Sequence, residues 1–402
     1  MLTLRSWSNW CTISLPLRLR QAFRHSSTGI RTLKRFFNMI FSILPYKESY
    51  SEESSGAIAL TVENFIKTSD NPEETIVITG KKPNKPNTPK FITCNSKGIF
   101  SFSRTKKYCE EILKIIKNYP DAILEIHNRP SYVEFFRKRC KNKIILYLHN
   151  DPNEIKLLKS VALRERALKN SDHIICVSQY IKNELTKDIK NDELINKSSV
   201  IYNINNKYYE KKEKKNQIIF VGRLTEEKGV IELCQALDHF FAKDNEWTSL
   251  IIAHYSNTTD KDKSSATLNN LIEKYPSKVR HISRCSNQEV LEHFSESKIA
   301  ILPSKWNEPF GLTVLEAINT ECALISSNRG GIPEIVKDAG ILLDEITGQS
   351  IYQAIANLTS SQEDIIKYQK KSSDRALAFS EIKPQELLKS LRDRLKNKPT
   401  KI

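Results

Sequence analysis

The sequence lacks any apolar run that approaches the roughly 20 residues needed to cross a bilayer, so we expect a soluble protein without a transmembrane helix. It also lacks a C-x-x-C pair among its eight cysteines, and Cys176 lies inside the apolar run HIICVS. Scattered thiols of this kind indicate buried packing in a reducing compartment rather than disulfides or zinc. Arginine-rich helices, aromatic-basic RNA motifs and zinc-finger spacings are missing too, which leaves nucleic acid as only a minor alternative among partners.

Acidic residues are absent from residues 1–38, which hold six arginines and one lysine. Three interpretations of this leader remain open: an organelle presequence, a basic arm on a membrane surface, or an upstream start codon that adds residues without function. We favour the last, because Met39 is the only methionine after Met1 and opens MIFSIL, a first strand of the kind that begins a nucleotide-binding fold. Without the leader, the net charge falls from +16 to +9.

The chain of 402 residues is too long for one ordinary core and fits two domains of roughly 150 to 200 residues. Its composition, 39% apolar and 27% charged, is that of a globular protein. The positive charge favours anionic lipid or a phosphorylated ligand, and composition alone does not choose between them.

Short apolar runs alternate after Met39 with segments of helical periodicity, which is typical of βα units around a parallel sheet. The first series predicts helices at 105–118 and 154–169, and strands at 39–44, 75–79, 122–127, 143–149, 173–177 and 199–203. The second series predicts a terminal helix at 384–398, and strands at 217–222, 249–253, 279–282, 298–302, 322–326 and 341–343.

Two such series predict an α/β protein with two Rossmann-like, doubly wound domains that face a cleft, followed by C-terminal helices. The charged stretch NKYYEKKEKKNQ has no apolar period and predicts a linker between them. The expected divisions are a leader at 1–38, an N-terminal domain at 39–205, a linker at 206–216, a C-terminal domain at 217–380 and a terminal helix at 381–402.

The segment IIFVGRLTEEKG places two cations, Arg223 and Lys228, just beyond the end of a predicted strand. Ligands of doubly wound sheets bind beyond the carboxyl ends of the strands, and the N-terminus of a following helix attracts anions. The pattern therefore predicts a diphosphate site, with a solvated turn as the alternative.

The segment NEPFGLTVLEA sets Glu308 and Glu316 eight positions apart. Pro309 and Gly311 interrupt a continuous helix, so we expect Glu308 in a loop and Glu316 in the first turn of the next helix. Thr313 to Glu316 also matches a capping box, which is a purely structural alternative for Glu316. The backbone N–H groups around Phe310 to Thr313 are expected to face the same cleft.

The blocks GRLTEEKG, EPFGLTVLEA and NRGGIPEIV, in this order and spacing, resemble the donor-binding domain of retaining GT-B glycosyltransferases of family 4. In the first half, LEIHNRPSYVEFF and IILYLHNDP are similar to bacterial members that extend lipopolysaccharide core or other envelope glycans. The resemblance covers roughly residues 39–380 and excludes the leader.

This resemblance implies that Arg223 and Lys228 bind the diphosphate of a nucleotide sugar and that Glu316 holds the ribose. It implies that His149 faces the transferred sugar, which is held by Glu308 and by the loop residues Phe310, Gly311, Leu312 and Thr313. His127 is a weaker candidate, for the acceptor. No metal is expected, because Asp260-Lys-Asp262 lies in a polar run that we interpret as a solvated loop, and no His or Cys spacing suits a metal.

Two positions depart from the family pattern. Gly56 stands where the family has a glycine pair that approaches the phosphates, and Ser55 replaces the first glycine. His254 and Tyr255 stand where glycines are common, which makes the donor's base less certain than its diphosphate.

The resemblance implies a metal-independent retaining enzyme that transfers a hexose or N-acetylhexosamine, with a UDP-sugar favoured, to a glycan or glycolipid acceptor of the cell envelope. We expect it in the cytoplasm, with basic helices at 105–118 and 134–143 resting on the anionic inner face of the membrane. Two rivals remain: a glycoside hydrolase that uses Glu308 and Glu316, which needs carboxyl groups about 5 to 9.5 Å apart, and a non-catalytic nucleotide-sugar binding protein.

Overall fold

The protein is described here by a computed structural model, which covers residues 39–48, 56–81, 90–94, 101–205, 209–243, 245–255 and 261–397. The predicted leader at 1–38 and the substituted Ser55 lie outside these residues. None of the helices in the covered ranges is both long and apolar enough to cross a membrane.

The first domain is built on a seven-stranded sheet of order β3-β2-β1-β4-β5-β6-β7. All neighbouring strands are parallel, as βα units require. The strands are β1 (Ile40–Ile43), β2 (Thr75–Thr79), β3 (Lys90–Thr93), β4 (Ile123–His127), β5 (Lys143–Leu148), β6 (His173–Cys176) and β7 (Ser198–Val200). The helices are α1 (Ala57–Lys67), α2 (Ser101–Ile116), α3 (Pro130–Arg137), α4 (Val161–Asn170), α5 (Gln179–Thr186) and α6 (Asp192–Ile195).

The second domain is built on a six-stranded parallel sheet of order β10-β9-β8-β11-β12-β13. Its strands are β8 (Lys215–Leu224), β9 (Thr248–Tyr255), β10 (Val279–Ile282), β11 (Ser297–Leu302), β12 (Ala323–Ser327) and β13 (Gly340–Leu343). Its helices are α7 (Val230–Phe241), α8 (Lys261–Lys274), α9 (Asn287–Glu296), α10 (Leu312–Asn319), α11 (Ile332–Val336), α12 (Gly348–Thr359) and α13 (Gln362–Ser380). The predicted fold class, two Rossmann-like domains with C-terminal helices, is confirmed.

The last helix, α14 (Pro384–Asn397), returns to the first domain. Its buried Leu388, Leu391 and Leu395 pack in one cluster with apolar side chains of β4 and β5. Arg392 of this helix donates two hydrogen bonds, of 2.7 and 2.8 Å, to the buried carboxylate of Glu125. The chain therefore crosses between the domains twice, which ties their positions together.

Some predicted boundaries are wrong. The helix expected at 134–143 ends at Arg137, because Asn142 turns the chain toward β5 through hydrogen bonds to the carbonyls of Tyr119 and Ala122. The helix expected at 154–169 begins only at Val161, after its N-cap Ser160. Strand β8 begins at Lys215, inside the segment expected as linker.

One strand and one loop were also misjudged. Strand β3 was not predicted, because it is short and lies at the sheet edge, where its side chains are only partly buried. The presumed loop around Asp260 is helical from Lys261 onward, and Asp260 itself lies outside the described residues.

Candidate active site

The turn after β8 positions Lys228. A short 3-10 helix, Glu226–Lys228, is followed by Gly229, whose φ of 69° is left-handed. Gly229 is the N-cap of α7. A Cβ atom at this position would lie only 2.1 Å from the carbonyl oxygen of Pro303, so both the backbone conformation and the space require glycine. The tight turn directs the Lys228 side chain toward the loop that follows β11.

Glu308 lies in that loop, and its carboxylate accepts a hydrogen bond from the Lys228 ammonium group. Both side chains are largely buried, with 18% of Lys228 and 13% of Glu308 exposed. The Lys228 Nζ atom also lies 5.5 Å from the ring centroid of Trp306, within range of a cation–π contact. Two motifs that are 80 residues apart thus form one charged cluster.

Helix α10 begins differently from the sequence expectation. Its N-cap is Gly311, with a left-handed φ of 106° and no capping side chain. The capping box from Thr313 to Glu316, the structural alternative for Glu316, is therefore not formed, because Thr313 already lies inside the first helical turn. Glu316 lies in that helix, but as its fifth residue rather than in the first turn, and Glu308 lies outside the helix, as expected.

Residues of both domains line an open cavity of about 1150 Å³ around this cluster. Six of the predicted site residues line it: Gly56, Arg223, Lys228, Glu308, Gly311 and Thr313. Arg223 is partly exposed, and its guanidinium lies 3.4 Å from a carboxylate oxygen of Glu227. The cavity therefore combines cations at the end of β8 with the start of helix α10, which is the arrangement expected of an anion site.

Four predicted site residues are not among those that line the cavity: His149, Phe310, Leu312 and Glu316. The Phe310 side chain is only 3% exposed, and its ring packs against Tyr202 and Phe379 at centroid distances of 6.0 and 6.2 Å. A direct role of Phe310 toward a ligand is thus restricted to its backbone.

His149 forms a stack of rings with Tyr147 and His127. Its Nε2 atom lies 2.9 Å from Nδ1 of His127, whose Nε2 atom in turn lies 2.9 Å from the Ser42 hydroxyl. Loss of hydration lowers the pKa of His149 to about 3 and lowers that of His127 as well, so both rings are neutral near pH 7. The prediction that His127 contacts an acceptor is wrong, because the ring is buried and both its nitrogens are occupied.

Several lining residues were missed by the sequence reasoning. Lys47 and Glu48 face the cavity from the first domain, and burial raises the pKa of the Glu48 carboxyl group. Both follow the carboxyl end of β1, and the rule that ligands bind beyond strand ends would have found them. In the second domain, Arg284 and Cys285 line the cavity together with His254, which had been singled out.

Comparison with known proteins is most specific for the second domain. Residues 203–375 match the family model described as Glycosyl transferases group 1. These residues are thus similar to glycosyltransferases of group 1. A relative named as an uncharacterized glycosyltransferase of Methanocaldococcus jannaschii is 30% identical over 233 residues, which are 56% of this chain and 61% of that protein. The match thus spans about three fifths of the relative's length.

Several solved structures share the fold of this chain. Sucrose-phosphate synthase from Thermosynechococcus elongatus superposes with a TM-score of 0.70 at 15% identity, over 89% of this chain and 99% of that one. Anabaena HepE, in complex with UDP and glucose, superposes with a TM-score of 0.66 at 13% identity. The superposition covers 89% of this chain and 100% of that one. The predicted GT-B fold is confirmed.

Proposed function

We propose that this protein transfers a hexose or N-acetylhexosamine from a UDP-sugar to a lipopolysaccharide core or another envelope glycan, with retention of anomeric configuration. The observation that carries the proposal is the Lys228–Glu308 pair, which places a cation suited to phosphate beside a carboxylate suited to sugar hydroxyls. A cavity between two domains, with the pair on its wall, has room for donor and acceptor together.

The chemical barrier lies mainly in the charge that develops on the departing diphosphate. Lys228 and Arg223 hold positive charge at the end of β8, and preorganised charges of this kind typically contribute several kcal/mol to transition-state stabilisation. Glu308 and Trp306 hold the ammonium of Lys228 at the cavity wall, where a departing diphosphate would share it with the Glu308 carboxylate.

The sugar and ribose are assigned to the loop and helix that follow β11. Glu308, assisted by the backbone of Phe310, Gly311, Leu312 and Thr313, would hold sugar hydroxyls, and Glu316 would hold the ribose. The neutral ring of His149 would form one hydrogen bond with the sugar, either as donor or as acceptor, and would carry no charge there. Gly56 would allow close approach of the first domain to the phosphates.

The nature of the donor is supported by one structural neighbour. The Anabaena protein is described in complex with UDP and glucose, and the present chain shares its fold. A metal-independent reaction remains a prediction from the sequence. Contact between the two domains would exclude water from the cavity and so limit hydrolysis of the donor.

The decisive experiment incubates the full-length protein with UDP-, GDP-, ADP- and dTDP-sugars, with and without EDTA. We expect one UDP-sugar to raise the melting temperature and to be slowly hydrolysed, and NMR of a transferred product to show the donor's anomeric configuration. Cleavage of aryl glycosides without nucleotide would favour a hydrolase instead. Donor binding without turnover in the presence of envelope glycan extracts would favour a binding protein.

Residence in the cytoplasm and peripheral contact with anionic lipid are also proposed. The structure reduces the charge available for this contact, because Lys106 and Lys114 of α2 form ion pairs with Glu110 and Glu111 of the same helix. Co-sedimentation with liposomes should rise with anionic lipid content and fall with salt. Binding that is indifferent to anionic lipid would refute the contact.

A further inference from the structure

A carboxylate of the second domain caps a helix of the first. The Oε2 atom of Glu334 accepts a hydrogen bond of 2.7 Å from the backbone N–H of Gln179, and its Oε1 atom accepts one of 2.6 Å from Tyr180. These N–H groups belong to the first turn of α5 and have no acceptor within their own helix. A negative charge at this end also interacts favourably with the helix dipole.

Glu334 is held firmly in its own domain. It lies in the short helix α11, and the guanidinium of the buried Arg375 donates a hydrogen bond of 2.7 Å to the Glu334 carbonyl oxygen. From the first domain, the Tyr202 hydroxyl donates a further hydrogen bond of 3.1 Å to the carboxylate. Burial, together with the proximity of this carboxylate, raises the pKa of Tyr202 to about 12, so the hydroxyl keeps its proton and remains a donor.

The contact between the start of α5 and the second domain also includes the loop that carries Glu308. The Ser178 hydroxyl, which caps α5 by accepting from Ile181, donates to the carbonyl oxygen of Pro309 at 2.5 Å. The N–H group of Gly331, three residues before Glu334, donates to the carbonyl oxygen of Glu308 at 2.7 Å. One helix end of the first domain thus contacts both the Glu308 loop and the segment that leads to Glu334.

We propose that Glu334 is a positioning residue that sets the angle between the two domains and, together with Ser178, holds the Glu308 loop in the geometry needed for sugar transfer. The link to transfer rests on the proposed function, whereas the capping contact does not. The Glu334 carboxylate accepts hydrogen bonds from Gln179, Tyr180 and Tyr202 of the other domain, and we call this contact the hinge. Hydrogen bonds to a charged group are directional and stronger than neutral ones, so they fix the relative position of the two domains.

The variant Glu334→Gln tests the hinge with little change in side-chain shape. An amide presents one oxygen and one NH2 group, so it accepts from one N–H of α5 and meets the other with a donor. The matched control is Glu363→Gln, which alters an exposed glutamate in the first turn of α13. A second variant, Ser178→Ala, removes the hydrogen bonds to Pro309 and from Ile181 and leaves the Glu334 carboxylate in place.

Hydrogen exchange of the peptide that contains Gln179 and Tyr180 is the first readout. We expect exchange at these amides to accelerate about tenfold in Glu334→Gln, the factor typical of losing a charge-assisted hydrogen bond, and to be unchanged in Glu363→Gln. Small-angle scattering should show a wider spread of domain arrangements for Glu334→Gln. Unchanged exchange together with unchanged scattering would refute the hinge.

Kinetics provide the second readout. If the hinge positions Glu308, kcat for transfer from a UDP-sugar should fall about tenfold or more in Glu334→Gln and Ser178→Ala, while the Kd of UDP alone changes less than about twofold. Equal kcat in variant and wild type would overturn the positioning role. If the wild type shows no transfer at all but exchange still accelerates in Glu334→Gln, the proposed function fails and the hinge stands.

Discussion

Replacing Glu308 by glutamine is expected to change nucleotide binding and sugar transfer in opposite directions. In the structure the Glu308 carboxylate is paired with Lys228, the same ammonium group that we assign to the leaving diphosphate. A nucleotide that binds to Lys228 must share or displace this carboxylate. In Glu308→Gln the competing negative charge is gone, and the ammonium is available to phosphate, whereas the contact with the transferred sugar is weakened.

The size of both effects follows from the burial of the pair. With 18% of Lys228 and 13% of Glu308 exposed, solvent screens the contact only partly. A hydrogen bond between charged groups contributes about 1.5–3 kcal/mol, and part of it is regained when phosphate replaces the carboxylate. We therefore expect UDP to bind about three- to tenfold more tightly to Glu308→Gln, and transfer from a UDP-sugar to slow by about 100-fold.

Isothermal titration calorimetry with UDP measures the first effect, and initial rates of product formation measure the second. Glu227→Gln serves as the control, because it removes a carboxylate that lies 3.4 Å from the cavity cation Arg223 in an exposed position. Exposed ion pairs contribute little, so its UDP affinity should stay within about twofold of the wild type. Weaker UDP binding to Glu308→Gln would refute the competition between carboxylate and phosphate.

Three further outcomes are expected for the stability of the fold. Arg392→Met should lower the free energy of unfolding by about 3–5 kcal/mol in urea titrations, because it leaves the buried Glu125 carboxylate unpaired. Adding Glu125→Gln should restore most of this loss, and additive losses in the double variant would contradict the reasoning. Burial raises the pKa of Glu48 above its unfolded value of 4.5, so its ionised form disfavours the native state at pH 7. Glu48→Gln should therefore be more stable than the wild type at pH 7, with an advantage that shrinks toward pH 4.5, and a constant advantage would exclude this cause. Gly229→Ala should cost at least about 1–2 kcal/mol for the left-handed backbone alone, and a melting temperature equal to the wild type would refute the required turn.

Sequence periodicity located the sheets well, because a buried parallel strand is an apolar run that needs little knowledge of its neighbours. Strands β2 and β10 match their predicted bounds, and among the strands that the structure describes only the edge strand β3 was missed. Helix ends were less accurate. Helix α3 stops at Arg137 because Asn142 makes hydrogen bonds to a turn more than 20 residues earlier, at Tyr119, and such a contact leaves no local signal.

The residues of the candidate site were likewise predicted only in part from the sequence. The motifs around Arg223, Lys228 and Glu308 were recognisable as residues at strand ends, and six predicted residues line the cavity. The buried position of His127 was not recognisable, because its two nitrogens are occupied by Ser42 of β1 and by His149, which follows β5. The capping box failed because the left-handed Gly311 sets the start of the helix two residues before Thr313.

What the sequence by itself determined is local: the alternation of strands and helices, the two-domain α/β class and the residue types at each strand end. These depend on neighbours within a few positions, which the order of residues specifies directly. Only the tertiary structure decided that Lys228 pairs with Glu308, that Glu48 faces the same cavity, and that Glu334 caps a helix of the other domain. Those contacts join residues about 80 or more positions apart, and packing of the folded domains alone brings them together.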